Sequence, residues 1–212
     1  MPILALVVAL AGCGGGGSSS GPPKALLTPG KLTKKAPQQF DVTFHTTAGD
    51  FTIGVHRTWA AHGADRFYNL VRNHFYDGAK IFRVVPHFVA QFGISRYPAV
   101  SEAWQNATIP DDAVAAQNKR GAVSFAAAGP NTRTTQVFID LASNLQLDAD
   151  RFAPFGTVTA GMDVVDKLYS GYGDGPTSHQ PEMFAQGNAY LEKNWPKLDT
   201  ILSTRVSNQP KP

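Results

Sequence analysis

Two short runs of alternating apolar residues, Phe40, Val42, Phe44 and then Phe51, Ile53, Val55, constrain this chain more than any other feature. Every second side chain of a strand lies on the same face, so each run predicts a strand with one buried side. Between them, Ala48-Gly49-Asp50 has the turn chemistry that lets the two strands pair as a hairpin. The period then changes. Across residues 64–75, Phe67, Leu70, Val71, His74 and Phe75 recur at helical spacing and predict a helix with one apolar face, ended by Asp77-Gly78. Residues 81–92 read as a strand interrupted by Pro86, and short apolar runs at 122–126, 137–141 and 155–158 are each bounded by Gly, Pro or Asn. Met162, Val165, Leu168 and Tyr169 give a second helical face within 161–169, and residues 200–206 supply a closing strand. Many short strands with two helices point to a mainly β fold, an antiparallel barrel with helical caps.

The length of 212 residues suits one domain with a sizeable core, and 42% apolar against 17% charged residues is a globular balance. A net charge of +3 is spread over scattered Lys and Arg, so no nucleic-acid partner is expected. Cys13 is the only cysteine, which excludes a disulfide framework and a cysteine metal cluster. The six histidines, at 45, 56, 62, 74, 87 and 179, include no His-x-x-x-His pair. Neither a metal nor an organic cofactor is expected. Ser124 lacks the flanking glycines of a nucleophile elbow, and no phosphate-binding glycine loop occurs between a strand and a helix.

Residues 3–11 are almost purely apolar, too few for a membrane-spanning helix of about 20 residues but suited to the apolar region of a signal peptide. Leu10-Ala11-Gly12-Cys13 resembles a bacterial lipobox, which implies a signal peptide over 1–12 and lipid attachment at Cys13. No Lys or Arg precedes Cys13, although a signal peptide ordinarily begins with a basic region. Gly and Ser fill residues 14–20, and Pro, Lys and Thr are frequent over 21–37, so residues 13–37 read as a flexible tether and 38–208 as the folded domain. The expected location is the bacterial cell envelope, with a monomeric domain outside the cytoplasm and the membrane touched only through the lipid.

Three ordered blocks carry a more specific signal. The run from Ile81 through Phe82-Arg83, Phe88-Val89, Gln91 and Gly93 resembles the F-H-R-x-x-x-x-F-x-x-Q-x-G segment of the cyclophilins, with Phe82 at the usual histidine position. Ser124-Phe125-Ala126-Ala127-Ala128-Gly129-Pro130-Asn131-Thr132, followed by Gln136-Val137-Phe138-Ile139, resembles their S-M-A-x-A-G-P-N-T-x-x-S-Q-F-F-I block. Asn144 to Asp148, Phe152 to Gly156 and Gly161 to Val165 then match in the family's order and spacing. The resemblance spans residues 40–173. It implies an eight-stranded closed antiparallel barrel capped by two α-helices, and peptidyl-prolyl cis-trans isomerase activity (EC 5.2.1.8) on proline-containing polypeptides. By family position, Arg83 and Gln91 are catalytic, Phe88, Val89, Phe138, Leu147 and Phe152 form an apolar proline socket, and Ala126, Ala127 and Gln136 bind the peptide.

The residue types suit that chemistry. Amide resonance sets a barrier of roughly 18–20 kcal/mol to rotation about an X-Pro bond, and a rate gain of about 10⁵ needs about 7 kcal/mol of preferential transition-state binding. In the twisted state the proline nitrogen regains a lone pair, which a permanently protonated guanidinium can hydrogen-bond. Gln91 would hold the substrate carbonyl or orient Arg83. Several positions depart from the family: Ala127 replaces an asparagine, Gln146 a tryptophan associated with cyclosporin binding, Phe152 the pocket histidine, and Val89 a common methionine. Weak cyclosporin sensitivity is therefore expected, and a non-catalytic module that holds proline-containing or envelope proteins is the alternative function. Residues 172–186 and the Tyr190 to Trp195 segment are expected to be an extension packed on the barrel.

Overall fold

The computed structural model describes residues 21–207. Cys13 and the signal-peptide reading over 1–12 lie outside the described residues. The opening hairpin forms as the alternation requires: β1 (Gln39–Thr46) pairs antiparallel with β2 (Gly49–His56), and Phe40 faces Val55, Val42 faces Ile53 and Phe44 faces Phe51. All six side chains are buried on one face, a contribution of roughly 2 kcal/mol each. Phe44 and Phe51 stack with ring centroids 4.9 Å apart. Gly49 turns the chain at φ +126°, and the Thr46 hydroxyl donates to its carbonyl at 2.6 Å.

The 12-residue helix α1 (Ala61–Arg72) lays Ala64, Phe67, Tyr68, Leu70 and Val71 on the core. Its first turn has no capping side chain of its own. The distant Asp112 carboxylate instead accepts the backbone N–H groups of His62 and Gly63, both at 2.9 Å.

The remaining strands are β3 (Arg83–Val84), β4 (Val89–Phe92), β5 (Ala122–Phe125), β6 (Val137–Asp140), β7 (Pro154–Ala160) and β8 (Ile201–Ser207). They join the hairpin in one curled antiparallel sheet of order β3-β4-β6-β5-β7-β2-β1-β8. The expected closed barrel is corrected here: no ladder joins the end strands, and the gap is spanned by an isolated Lys80–Thr200 bridge with flanking backbone bonds. In this antiparallel register the residues that would face β3 precede Asp199 and lie in a turn that contains Pro196, so the pairing stops at Ile81.

The expectation of two helices also changes. The second predicted helix shortens to α4 (Met162–Val165), and among the described residues four further short helices appear: α2 (Pro98–Trp104), α3 (Gln146–Ala149), α5 (Gln180–Gln186) and α6 (Asn188–Asn194). Part of the predicted tether is corrected as well. Residues 21–37 carry two 3-10 turns, bury Leu26 and Ala36, and are fastened by Trp104 Nε1 donating to the Leu26 carbonyl and by Asn69 and Asp65 accepting the N–H groups of Lys34 and Ala36. Composition points to a tether because Pro, Lys and Thr are frequent there, but burial of Leu26 and Ala36 together with the bonds to Trp104, Asn69 and Asp65 docks the segment.

A second apolar cluster lies outside the main core. Phe82, Ile94, Met183, Leu191 and Leu198 are buried together, with Tyr172, Phe184, Tyr190 and Trp195 packed partly against them. The extension over residues 172–198 thus packs on the sheet as predicted. It also explains Phe82, because a polar histidine at that position would be buried among apolar side chains.

Candidate functional site

Alternation along three neighbouring strands sorts side chains between the core and a surface cavity. Val84, Ala90, Phe92, Val137 and Ile139 point into the main core, whereas Val89 and Phe138 belong to a separate small cluster on the opposite face. In the ladder Arg83 faces Gln91 and Gln91 faces Phe138, so guanidinium, amide and ring form a row across β3, β4 and β6. The turn between β3 and β4 is tight, with His87 at φ +62° and Phe88 N–H donating to the Val85 carbonyl at 3.0 Å. Gly93 ends β4 at φ +116°; a Cβ there would sit 2.5 Å from the Thr135 carbonyl oxygen, so only glycine permits this approach to the strand that follows Gln136.

Below this row, α3 and the turn after it supply the cavity floor. Leu147 is buried, and Arg151 at φ +65° swings the chain so that Phe152 N–H donates to the Leu147 carbonyl and its ring meets Phe138 edge-on at 5.6 Å. Arg83, Phe88, Val89, Gln91, Ala126, Ala127, Phe138, Leu147 and Phe152 line one cavity of about 320 Å³. Of the sequence-predicted residues only Gln136 is set back: its side-chain carbonyl accepts from Gln91 at 2.8 Å and its amide donates to Gln180 at 2.8 Å. The Ala126 N–H donates to the Gln136 backbone carbonyl at 3.0 Å.

Gln91 accepts from Arg83 Nη1 at 3.1 Å, the orienting arrangement of the two foreseen from sequence. The guanidinium carbon stands 5.3 Å from the centre of the Phe88 ring. Among the described residues Nη2 makes no hydrogen bond, which leaves one cationic donor edge beside an apolar floor. Such a site can accept a ring-sized apolar group and polarise an amide next to it.

A polar frame behind the cavity went unnoticed in the sequence. Asn118, fully buried, donates to Asp148 at 2.7 Å and to the Phe152 carbonyl at 2.8 Å, and accepts from the Ser124 hydroxyl. Asn144 donates to the Phe88 carbonyl at 2.9 Å and to Asp140 at 2.6 Å. Burial pushes the Asp140 carboxyl up to about 7, against the Asn144 hydrogen bond and aided by the nearby Asp148 charge. Two more residues, Thr177 and Gln180, reach the cavity from the extension. No short motif announces them, because their place depends on how the second cluster folds.

Comparisons with known proteins agree with this geometry. Residues 41–186 match the family model described as cyclophilin type peptidyl-prolyl cis-trans isomerase/CLD. A peptidyl-prolyl cis-trans isomerase of Acinetobacter baylyi is 35% identical over 133 residues, 60% of this chain and 70% of the relative. The peptidyl-prolyl cis-trans isomerase-like 1 of Emericella nidulans is 29% identical over 131 residues, 60% of this chain and 80% of its own. A crystal structure of a Cryptosporidium parvum cyclophilin type isomerase has the same fold, with a TM-score of 0.61 and 17% identity over 81% of this chain and 99% of that one. A second structure of that protein, in the presence of the dipeptide Ala-Pro, gives a TM-score of 0.60 over 80% of this chain. The eight antiparallel strands, the row of Arg83, Gln91 and Phe138, and the family match over most of the folded residues establish that this chain belongs to the cyclophilin type peptidyl-prolyl cis-trans isomerase family.

Proposed function

We propose that this chain isomerises X-Pro peptide bonds of exported proteins outside the cytoplasm, with Arg83 as the group that stabilises the twisted amide. The observation that carries this reading is the Arg83–Gln91 pair standing over the Val89, Phe138 and Leu147 cluster. A proline ring seated on that cluster would bring its nitrogen beside the open Nη2 edge. As the bond twists, the nitrogen becomes pyramidal and its lone pair accepts from the guanidinium, an interaction absent in either planar ground state. No proton leaves Arg83 and no covalent intermediate forms. Phe88 shields one face of the cation from water, which strengthens the hydrogen bond.

The Ala-Pro dipeptide present with the Cryptosporidium parvum relative fits this choice of ligand. The envelope location follows from the lipobox-like Leu10-Ala11-Gly12-Cys13 and rests on sequence alone. A protease-coupled assay on a proline-containing peptide, wild type beside Arg83→Ala, tests the catalytic claim. Equal, uncatalysed rates for both proteins would leave a proline-peptide-holding module as the function. Metabolic lipid labelling that persists in Cys13→Ser would refute the anchor.

A further inference from the structure

Asp174 lies 91 positions along the chain from Arg83, on the extension rather than on the sheet, yet its carboxylate Oδ1 accepts from Arg83 Nε at 2.5 Å. We infer that Asp174 is a positioning residue for the Arg83 guanidinium, an inference that rests on the catalytic role proposed for Arg83. An arginine side chain is long and rotatable, and this one is 23% exposed at the cavity rim. Asp174 holds its Nε, Gln91 holds Nη1, and the Phe88 ring lies 5.3 Å from its central carbon. Contacts at these three places fix both the plane of the group and its rotation about the last side-chain bond. Both N–H groups of Nη2 and the second N–H of Nη1 are left for a ligand.

The position of the carboxylate separates this role from inhibition. A group that competed with substrate would occupy Nη2, whereas Asp174 takes the donor at the base of the fork. The backbone beneath it is held firmly. Gly173 adopts φ +50°, the Asp174 carbonyl accepts from both the N–H and the hydroxyl of Thr177, and Pro176 is buried. Tyr172, just before the turn, packs edge-on against Trp195 with centroids 5.1 Å apart. The same extension meets the row again at Gln180, which accepts from Gln136, which in turn accepts from Gln91. The extension therefore grips the Arg83–Gln91 pair from both ends.

Asp174 itself is 60% exposed, so its substitution should barely disturb folding. The test measures kcat and KM separately for wild type, Asp174→Asn, Asp174→Glu and Arg83→Ala in the coupled proline-peptide assay. Solvent exchange of the Arg83 Nε–H proton is followed by NMR. Positioning predicts that Asp174→Asn lowers kcat about tenfold, the worth of one charge-assisted hydrogen bond, with KM within about twofold. It also predicts faster exchange of the Nε proton, and recovery of at least about half of kcat in Asp174→Glu. An unchanged or raised kcat in Asp174→Asn, a change in KM alone, or an unaltered Nε–H exchange rate would each overturn the assignment. If Arg83→Ala is inactive while Asp174→Asn is normal, this inference alone falls; if Arg83→Ala keeps full activity, both it and the role of Arg83 fall.

Discussion

The cavity has two walls built on different physical terms. The strand wall, made by β3, β4 and β6, takes its shape from ladder hydrogen bonds, which fix Arg83 opposite Gln91 and Gln91 opposite Phe138. The extension wall, Asp174 to Gln180, is held by a separate apolar cluster of modest size around Phe82, Met183 and Leu191. The first wall places chemistry by register, and a register error would move every side chain to the other face. The second places it by docking, so it can be loosened without breaking the sheet.

The largest expected effect breaks the strand wall at its centre. Arg83→Ala should lower kcat/KM about 10³-fold, close to 4 kcal/mol of transition-state stabilisation, with a near-native melting curve. Next comes the support behind that wall. Asp140 titrates higher in the folded protein than in the unfolded chain, so the folded state binds the extra proton. Stability is then full below about pH 4 and declines as pH rises toward 7, by no more than about 4 kcal/mol. Urea unfolding at stepped pH should show this slope, and Asp140→Asn should flatten it.

Attack on the extension wall should separate stability from chemistry. Phe82→His, which restores the commoner family residue, buries an imidazole in the second cluster and should cost about 2–3 kcal/mol, with a steeper loss in acid as the ring protonates. Equal stability of the variant and wild type by denaturant unfolding would mean that the cluster does not discriminate polarity. The smallest effect sharpens the comparison at the cavity mouth. Ala127→Asn adds a polar side chain where the Ala126 N–H is already committed, and should improve KM by about two- to fivefold. Gln146 is exposed beside the floor, and wild-type inhibition by cyclosporin at nanomolar concentration would contradict the weak sensitivity expected from it.

Much of the strand wall was legible through the family block over 81–93, although alternation alone reads residues 81–92 as one strand interrupted by Pro86 where the structure folds a hairpin. The hairpin pairing of Arg83 with Gln91 spans eight residues, and alternate positions there leave Val89 and Gln91 on one face and Ala90 and Phe92 on the other. Leu147 and Phe152 were found through an ordered family block. Asn118 and Asp140 escaped notice because an isolated polar residue gives no sign of burial until its partners surround it. Leu26 and Ala36 sit in a segment whose tether-like composition hides their burial for a similar reason.

What the sequence determined by itself is therefore the paired hairpin and the long helix, as consequences of periodicity and short-range pairing, and the row of site residues, through its ordered resemblance to the cyclophilin blocks. Tertiary structure alone decided that the sheet curls without a closing ladder, that residues 21–37 dock, and that Asp174 reaches Arg83. Those outcomes join segments far apart in the chain, and such contacts depend on the summed burial of a whole cluster, which no local pattern encodes.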